Sequence, residues 1–321
     1  MQRIAVGGIL ATVLAGLLPL PAFAQQYPVK PVRVIVASSP GGYLDRTSRL
    51  VGDKLSQRMG QPFVLENRGG AGGNIAGKAA AESIPDGYTL LSTTTQIAVN
   101  ATLYKDPGFN LLTDLVPVGI AGGTPGVFAV LPSNPAKNLR ELIDNAKGKR
   151  LTHASGIGTS SHVSADYLFR ILAKLDAAHV PFKGGAPAVA AVLGGQVEVL
   201  NSSLGSVLPH ARAGKLRPLG ISGPKREAAM PGVPTVAEQG FPGFAEISWI
   251  AFFGPSKMPT PIVNRLNGEI NQVLNLPDVN KALVDLGMEV TPWATAAIAE
   301  YVKSELAMWT RINKATGVTV D

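Results

Sequence analysis

Short apolar runs alternate with amphipathic stretches along most of the chain. Val32–Val36 has the β-branched composition of a strand, and Pro40-Gly41-Gly42 supplies a turn after it. The apolar side chains between Leu44 and Met59 then fall on one face of a helix that ends before Gly60. This region therefore predicts a strand, a loop and a helix in succession.

The same alternation continues to the end of the chain. It predicts further strands at residues 63–66, 88–92, 151–154, 178–182, 197–200, 216–222 and 249–253. It also predicts a helix capped by Asn74, a helix at 139–147 that opens with the capping pair Asn138 and Glu141, and a helix that carries Val163 and Tyr167. Three more helices follow at residues 261–274, 279–286 and 294–315.

Strands that alternate with helices are typical of an α/β protein with a parallel sheet. One sheet with this many strands would be unusually large, so the sequence predicts two α/β lobes. The apolar faces of the last three helices must pack against a sheet, and the N-terminal strands can form that sheet. We therefore expect residues 25–124 and 250–321 to form lobe 1 and residues 125–249 to form lobe 2, with a hinge and a cleft between them.

The N-terminus has the pattern of a cleaved signal peptide at residues 1–24. Arg3 precedes an apolar stretch, and Ala22-Phe23-Ala24 matches a small-x-small cleavage site. A membrane anchor is the alternative, but the stretch is short for a spanning helix and Pro19 breaks its end. The sequence thus predicts export to the periplasm.

Composition narrows the function classes. The chain has 321 residues, 45% of them hydrophobic, which excludes a disordered chain. It has no cysteine, and its four histidines form no H-E-x-x-H motif, so no metal site is predicted. The net charge is +7, or +6 without the leader, and the basic residues are dispersed. This distribution does not predict nucleic acid as a partner, but it favours small anions.

Nucleotide motifs are incomplete. Gly72, Gly77 and Lys78 match most of a P-loop, but Ala79 stands where a hydroxyl must bind Mg²⁺. The run 156–161 lacks the third glycine of a dinucleotide fingerprint. No G-x-S-x-G elbow occurs. We therefore predict no cofactor and no catalytic residue, while an enzyme that uses Asp45 or His162 stays an alternative.

Glycine and small hydroxyl residues follow almost every predicted strand. Such loops expose backbone N–H groups at the positive end of a helix dipole, where carboxylates bind. Loops at the carboxyl ends of strands in an open α/β sheet converge. Five of them predict a carboxylate-binding site that needs no arginine clamp. The loops are residues 38–42, 93–95, 155–161, 183–185 and 202–203.

Six motifs stand in order along the chain. They are Tyr27-Pro28-x-Lys30-Pro31-Val32-Arg33, Pro40-Gly41-Gly42-x-x-Asp45, Glu66-Asn67-Arg68-x-Gly70-Ala71-Gly72-Gly73-Asn74, Pro85-Asp86-Gly87-Tyr88-Thr89-Leu90, His179-Val180-Pro181-Phe182-Lys183-Gly184 and Pro234-Thr235-Val236-Ala237-Glu238. Together they resemble the extracytoplasmic solute receptors of tripartite tricarboxylate transporters, the Bug proteins. The resemblance implies a two-lobed periplasmic binding protein that acts as a monomer and delivers a small carboxylate to a two-component integral membrane permease.

The resemblance also implies a ligand site. Its residues would be Ser39, Gly41, Gly42, Tyr43, Asp45, Thr93, Thr95, Gln96, Gly158, Thr159, Ser160, His162, Lys183, Gly184, Ser202 and Ser203.

The chain departs from the family pattern in two places. Tyr43-Leu44 replaces small residues, and Ser202-Ser203 replaces the Asp-Asn of the lobe 2 loop, which removes a partner for a ligand amino group. Tyr43 and Phe182 could supply aromatic walls, so an aromatic dicarboxylate such as terephthalate is one expected ligand and citrate is its rival. A receptor that reports its ligand to a sensor is an alternative to transport.

Overall fold

The structure, a computed structural model, describes residues 27–290 and 292–320. The signal peptide predicted at residues 1–24 lies outside them. No helix in the described part is long and apolar enough to cross a membrane.

The described residues form nine strands and ten α-helices. The strands are β1 Val32–Val36, β2 Phe63–Asn67, β3 Thr89–Thr94, β4 Leu115–Val130, β5 Leu151–Gly156, β6 Ala177–Phe182, β7 Val199–Ser203, β8 Arg217–Ile221 and β9 Ile247–Pro255. The helices are α1 Tyr43–Met59, α2 Asn74–Ala81, α3 Gln96–Leu103, α4 Leu139–Ala146, α5 Ser160–Asp166, α6 Gly185–Leu193, α7 Leu204–Arg212, α8 Thr260–Leu274, α9 Pro277–Asp285 and α10 Thr295–Thr316. A π-helical turn, Tyr167–Leu172, continues α5.

The sheet is mixed, so the expectation of a parallel sheet is wrong. Its order is β2-β1-β3-β9-β4-β7-β5-β6, and β8 also pairs with β4. The β1–β2, β1–β3, β5–β6 and β5–β7 pairs are parallel. Every pair that includes β4 or β9 is antiparallel. These two strands run in opposite directions between two parallel halves and join them.

Strand β4 was missed by the sequence analysis, although it holds the two halves together. Its residues 115–125 pair with β9, and its residues 126–130 pair with β7 and β8. Glycine and proline are depleted in strands, and this segment contains four glycines and two prolines. At Gly122, φ is +141°, and a Cβ there would lie 2.5 Å from the carbonyl oxygen of Glu289. A close backbone approach therefore explains the glycine that hides the strand.

The apolar core divides into three clusters. The largest contains Leu91, Phe252 and Trp309 and draws its buried residues almost entirely from 27–121 and 249–312. The other two lie within residues 127–244, one around Phe128 and the other around Leu200. Two regions of the chain thus have cores of their own, while the lobe bounds themselves stay a prediction.

The loop that imitates a P-loop has a structural explanation. The Gly72 carbonyl oxygen accepts a hydrogen bond of 2.6 Å from Asn100 Nδ2 on α3. Asn74, predicted as a helix cap, is instead the first residue of α2, and Gly73 precedes the helix with φ at +92°. The capping role of Asn138 is confirmed, because its Oδ1 accepts a 2.9 Å hydrogen bond from Glu141 N.

Candidate ligand-binding site

A cavity of about 230 Å³ lies where loops from both halves of the sheet meet. Each of the five glycine and hydroxyl loops predicted from the sequence contributes at least one residue to it. We call this space the ligand cavity. Its lining residues are Gly41, Gly42, Tyr43, Arg46, Thr94, Gln96, Gly156, Thr159, Ser160, Ser161, Gly185, Ala186, Asn201, Ser202, Ser203, Ser206 and Ser248.

The structure brings half of the predicted site residues to this cavity. Those that line it are Gly41, Gly42, Tyr43, Gln96, Thr159, Ser160, Ser202 and Ser203. Those that do not are Ser39, Asp45, Thr93, Thr95, Gly158, His162, Lys183 and Gly184. Phe182, expected as an aromatic wall, packs against the apolar cluster around Leu200 instead.

Asp45 holds the loop of residues 38–42 in place without lining the cavity. Its buried carboxylate accepts hydrogen bonds of 2.8 Å from the Gly41 amide and from Asn67 Nδ2, and it forms an ion pair with Arg49 at 2.9 Å. Burial alone would raise the pKa of Asp45, but the hydrogen bonds from Arg49, Gly41 and Asn67 hold it below its usual value. The carboxylate is therefore ionised and engaged, and its role is to position the loop.

Helix α1 directs its N-terminus at the cavity. Gly42, which precedes the helix, makes no side-chain cap, so the first-turn N–H groups have no side-chain acceptor. These donors and the helix dipole favour an anion at this end.

Arg46 lines the cavity one turn into α1, so the expectation of a site without arginine is wrong. Among the described lining residues it is the only side chain with a permanent charge, and its guanidinium forms no ion pair within the described part of the chain. The helical period could have identified Arg46, because residues three apart share a helix face and Tyr43 was already a candidate site residue.

Tyr43 lines the cavity and also packs against the largest apolar cluster, and its buried hydroxyl has no hydrogen-bond partner among the described residues. Burial, and secondarily the Glu246 carboxylate, raise the pKa of Tyr43, so the phenol stays protonated. Glu246 is itself buried behind the lining residue Ser160, and Ser222 Oγ donates to its Oε2 at 2.7 Å. Burial raises the pKa of Glu246, and the hydroxyls of Ser160 and Ser222 oppose that rise. The sequence analysis did not identify this acid.

The facing wall is held by its own side chains. Thr159 Oγ1 donates to the Gly156 carbonyl oxygen at 2.7 Å. Asn201 Nδ2 donates to the Ser161 carbonyl oxygen at 2.8 Å and to Ser164 Oγ at 3.1 Å. These bonds shape the loop after β5 before any ligand arrives.

A histidine cluster supports that loop from below. His153 and His162 contact Asp166 at 3.0 and 3.5 Å, and the rings of His162 and His179 stack 3.7 Å apart. Burial lowers the pKa of His179 to about 3, helped by the neighbouring histidines. Burial would raise the pKa of Asp166, but its histidine partners hold it far below its usual value. His162 therefore belongs to the buried cluster behind the wall and does not line the cavity.

The histidine cluster does not form a metal site. Within the described residues, no group of three or more His, Cys, Asp or Glu side chains could hold a metal ion.

Comparison with known proteins identifies the family. The sequence model of the tripartite tricarboxylate transporter family receptor, a protein family, matches residues 47–318 of this chain. This chain belongs to that family. Protein BugT of Bordetella pertussis is 34% identical over 302 residues, which cover 92% of each chain.

Solved structures support the same fold. An R. palustris protein with adipate is 31% identical, with a TM-score of 0.85, and the match covers 91% of this chain and 99% of that one. MatC from Rhodopseudomonas palustris with bound malate is 31% identical, with a TM-score of 0.82 and coverage of 89% and 99%. The chain thus has the α/β periplasmic binding-protein fold and is a solute-binding receptor, not an enzyme.

Proposed function

We propose that this receptor captures a small carboxylate in the ligand cavity and delivers it to a two-component membrane permease. The observation that carries the proposal is Arg46, whose guanidinium has no ion pair with any described residue and lies in a cavity otherwise lined by neutral groups. A planar guanidinium matches a carboxylate with two parallel hydrogen bonds. The unpaired amides of α1 add further donors on the same side.

We infer that the ligand is small. The cavity volume of about 230 Å³ is below the range typical of drug-sized ligands. Adipate and malate in the related R. palustris proteins are small acids of this kind. An aromatic dicarboxylate such as terephthalate is supported here by the Tyr43 ring, but not by Phe182.

We further propose that lobe 1, residues 25–124 and 250–321, and lobe 2, residues 125–249, close on the ligand. A ligand that contacts Arg46 and Ser202 together favours the state in which both are near it. Small-angle scattering should show a smaller radius of gyration with ligand, and an unchanged radius despite proven binding would contradict closure. Export to the periplasm through cleavage after Ala24 completes the proposal, and the mass of the exported chain tests it.

The carboxylate proposal is tested by calorimetry against adipate, malate, citrate, glutamate and terephthalate. We expect at least one to bind, and Arg46→Gln to weaken that binding by about tenfold or more, because a hydrogen bond to a charged group contributes roughly 1.5–3 kcal/mol. Arg311→Gln, which changes an exposed arginine of α10 outside the cavity, is the matched control.

Two results would overturn the proposal. One is the absence of heat from every acid in a folded protein. The other is equal affinity in the wild type and the Arg46→Gln variant. Uptake of the bound acid by membranes that contain the permease then separates transport from sensing.

A further inference from the structure

A second cavity, of about 190 Å³, lies on the other face of β9 from the ligand cavity. Successive side chains of a strand point to opposite faces. Ser248 of β9 accordingly lines the ligand cavity, while Ile247 and Trp249 line the second one. We call this second space the rear cavity. Trp293, Tyr301 and Glu227 also line it, so it contacts residues from both regions of the chain.

Aromatic rings make up much of its wall. The Trp293 and Tyr301 rings are 5.1 Å apart at 49°. The Trp249 N–H is already engaged, because it donates to Glu305 Oε2 at 3.0 Å. Trp249 is buried, whereas Trp293 and Tyr301 are partly exposed, so these two rings are the ones that an occupant can reach. Aromatic faces carry partial negative charge and attract cations within about 6 Å.

The charges at the rear cavity are negative, although the chain as a whole is +7. Glu227 and Glu289 line it, and no lysine or arginine does. Lys225 pairs with Glu289 at 3.0 Å. The partly buried Glu227 carboxyl has no ion pair or hydrogen bond within the described residues, and burial raises its pKa, while the charge of nearby Lys225 opposes that rise. The unpaired carboxyl is the group that a cation would complement.

Two buried acids lie behind this wall. Glu305 accepts the indole N–H groups of both Trp249 and Trp309 and forms no ion pair among the described residues. Burial raises the pKa of Glu305 and of Glu246, and the indole N–H groups oppose that rise at Glu305. Both acids are already held by hydrogen bonds, so Glu227 is the acid that is open to an occupant.

We propose that the rear cavity binds a small organic cation, with its ammonium group at Glu227 and its hydrocarbon part against Trp293 and Tyr301. The proposal does not depend on which solute the ligand cavity takes. The occupant would contact β4 and β9, the strands that join the two regions, so its binding would be linked to their relative movement.

Tryptophan fluorescence provides the test, because two of the chain's three tryptophans line the rear cavity. Benzylammonium is the probe, and benzyl alcohol is its neutral counterpart with the same ring. We expect a saturable fluorescence change with benzylammonium and an affinity at least tenfold weaker for benzyl alcohol. Glu227→Gln should lower the benzylammonium affinity about tenfold while keeping the shape of the side chain.

Asp285→Asn is the control, since it neutralises an exposed acid of α9 that does not line the cavity. Trp293→Leu is a second variant, expected to weaken benzylammonium binding measured by calorimetry, so the test survives if Glu227→Gln fails to fold. The proposal is overturned if benzylammonium gives no saturable signal, if benzyl alcohol binds as tightly, or if Glu227→Gln and Asp285→Asn bind equally well. None of these results depends on carboxylate binding.

Discussion

The two walls of the ligand cavity differ in charge and in support. The wall formed by α1 carries Arg46 and open backbone amides, and a network of formal charges around Asp45 holds it. The wall formed by the loop after β5 presents neutral groups to the cavity, and it rests on hydroxyl hydrogen bonds and on buried histidines around the Asp166 carboxylate. The difference indicates that α1 provides attraction for an anion, whereas the facing loop provides shape. Their responses to mutation and to pH should therefore differ.

The largest expected effect is at Gly42 on the α1 wall. Its backbone is not left-handed, and a Cβ would meet nothing nearer than the Ser39 carbonyl oxygen at 3.8 Å, so the fold tolerates a side chain. Gly42→Leu should abolish acid binding by blocking the amides, with an unchanged melting temperature. Calorimetry measures the affinity for the acid, and thermal unfolding measures the melting temperature. Full affinity in this variant would remove the α1 wall from the site.

Gly41 is the contrasting position. Its φ of +81° lies in the left-handed region, so any side chain there strains the loop. Gly41→Leu should therefore lose stability as well as binding, and an unchanged melting temperature would contradict this account of the loop.

The next effect is on the stability of the facing wall. Asp166→Asn removes the carboxylate that His153, His162 and Arg170 share. Removing one partner of a buried ion pair typically lowers the free energy of unfolding by about 3–5 kcal/mol. We expect urea unfolding to show a loss of stability near the lower end of this range, because Arg170 is partly exposed. Asp144→Asn is the control, because Asp144 is an exposed acid whose ion pairs are screened by solvent, and its loss of stability should be much smaller.

Acid should weaken the same wall. The folded-state pKa of His179 is about 3, below the value of about 6.5 expected in the unfolded chain. The unfolded chain thus binds more protons, and the free energy of unfolding falls as pH drops below about 6.5. By pH 5 the loss from this one histidine should approach about 2 kcal/mol, at 1.36 kcal/mol per pH unit.

The lowered pKa of Asp166 adds a further loss at more acidic pH, through the range where an unfolded aspartate becomes protonated. Urea titrations of His179→Gln and the wild type at pH 7 and pH 5 test the assignment. The variant should lose less stability on acidification. Parallel losses in the two proteins would show that another group controls the acid response.

The smallest effect is at Ser160. Its hydroxyl lines the cavity next to Glu246. Ser160→Ala should weaken acid binding by about 1 kcal/mol, the usual net value of one hydrogen bond. Ser304→Ala, which changes an exposed serine of α10 that does not line the cavity, should leave the affinity unchanged. A loss as large as that of Arg46→Gln would reverse the proposed division between the walls.

Local patterns in the sequence determined much of this molecule. The strand Val32–Val36, the helix ending at Gly60 and the capping residue Asn138 were predicted, because each depends on residues only a few positions apart. The five small-residue segments were predicted for the same reason, since each lies at the end of a strand or directly after it. The ordered motifs from Tyr27 to Glu238 identified the family.

Only the tertiary structure decided which side chains reach the cavity. Asp45 and Arg46 are adjacent in sequence, yet helical geometry turns one towards Asn67 and the other towards the cavity. Strand β4 was hidden because its glycines serve contacts with distant residues such as Glu289. The histidine cluster combines residues from β5, α5 and β6, which meet only after the sheet forms. Contacts between distant segments follow from packing, and spacing along one chain does not encode them.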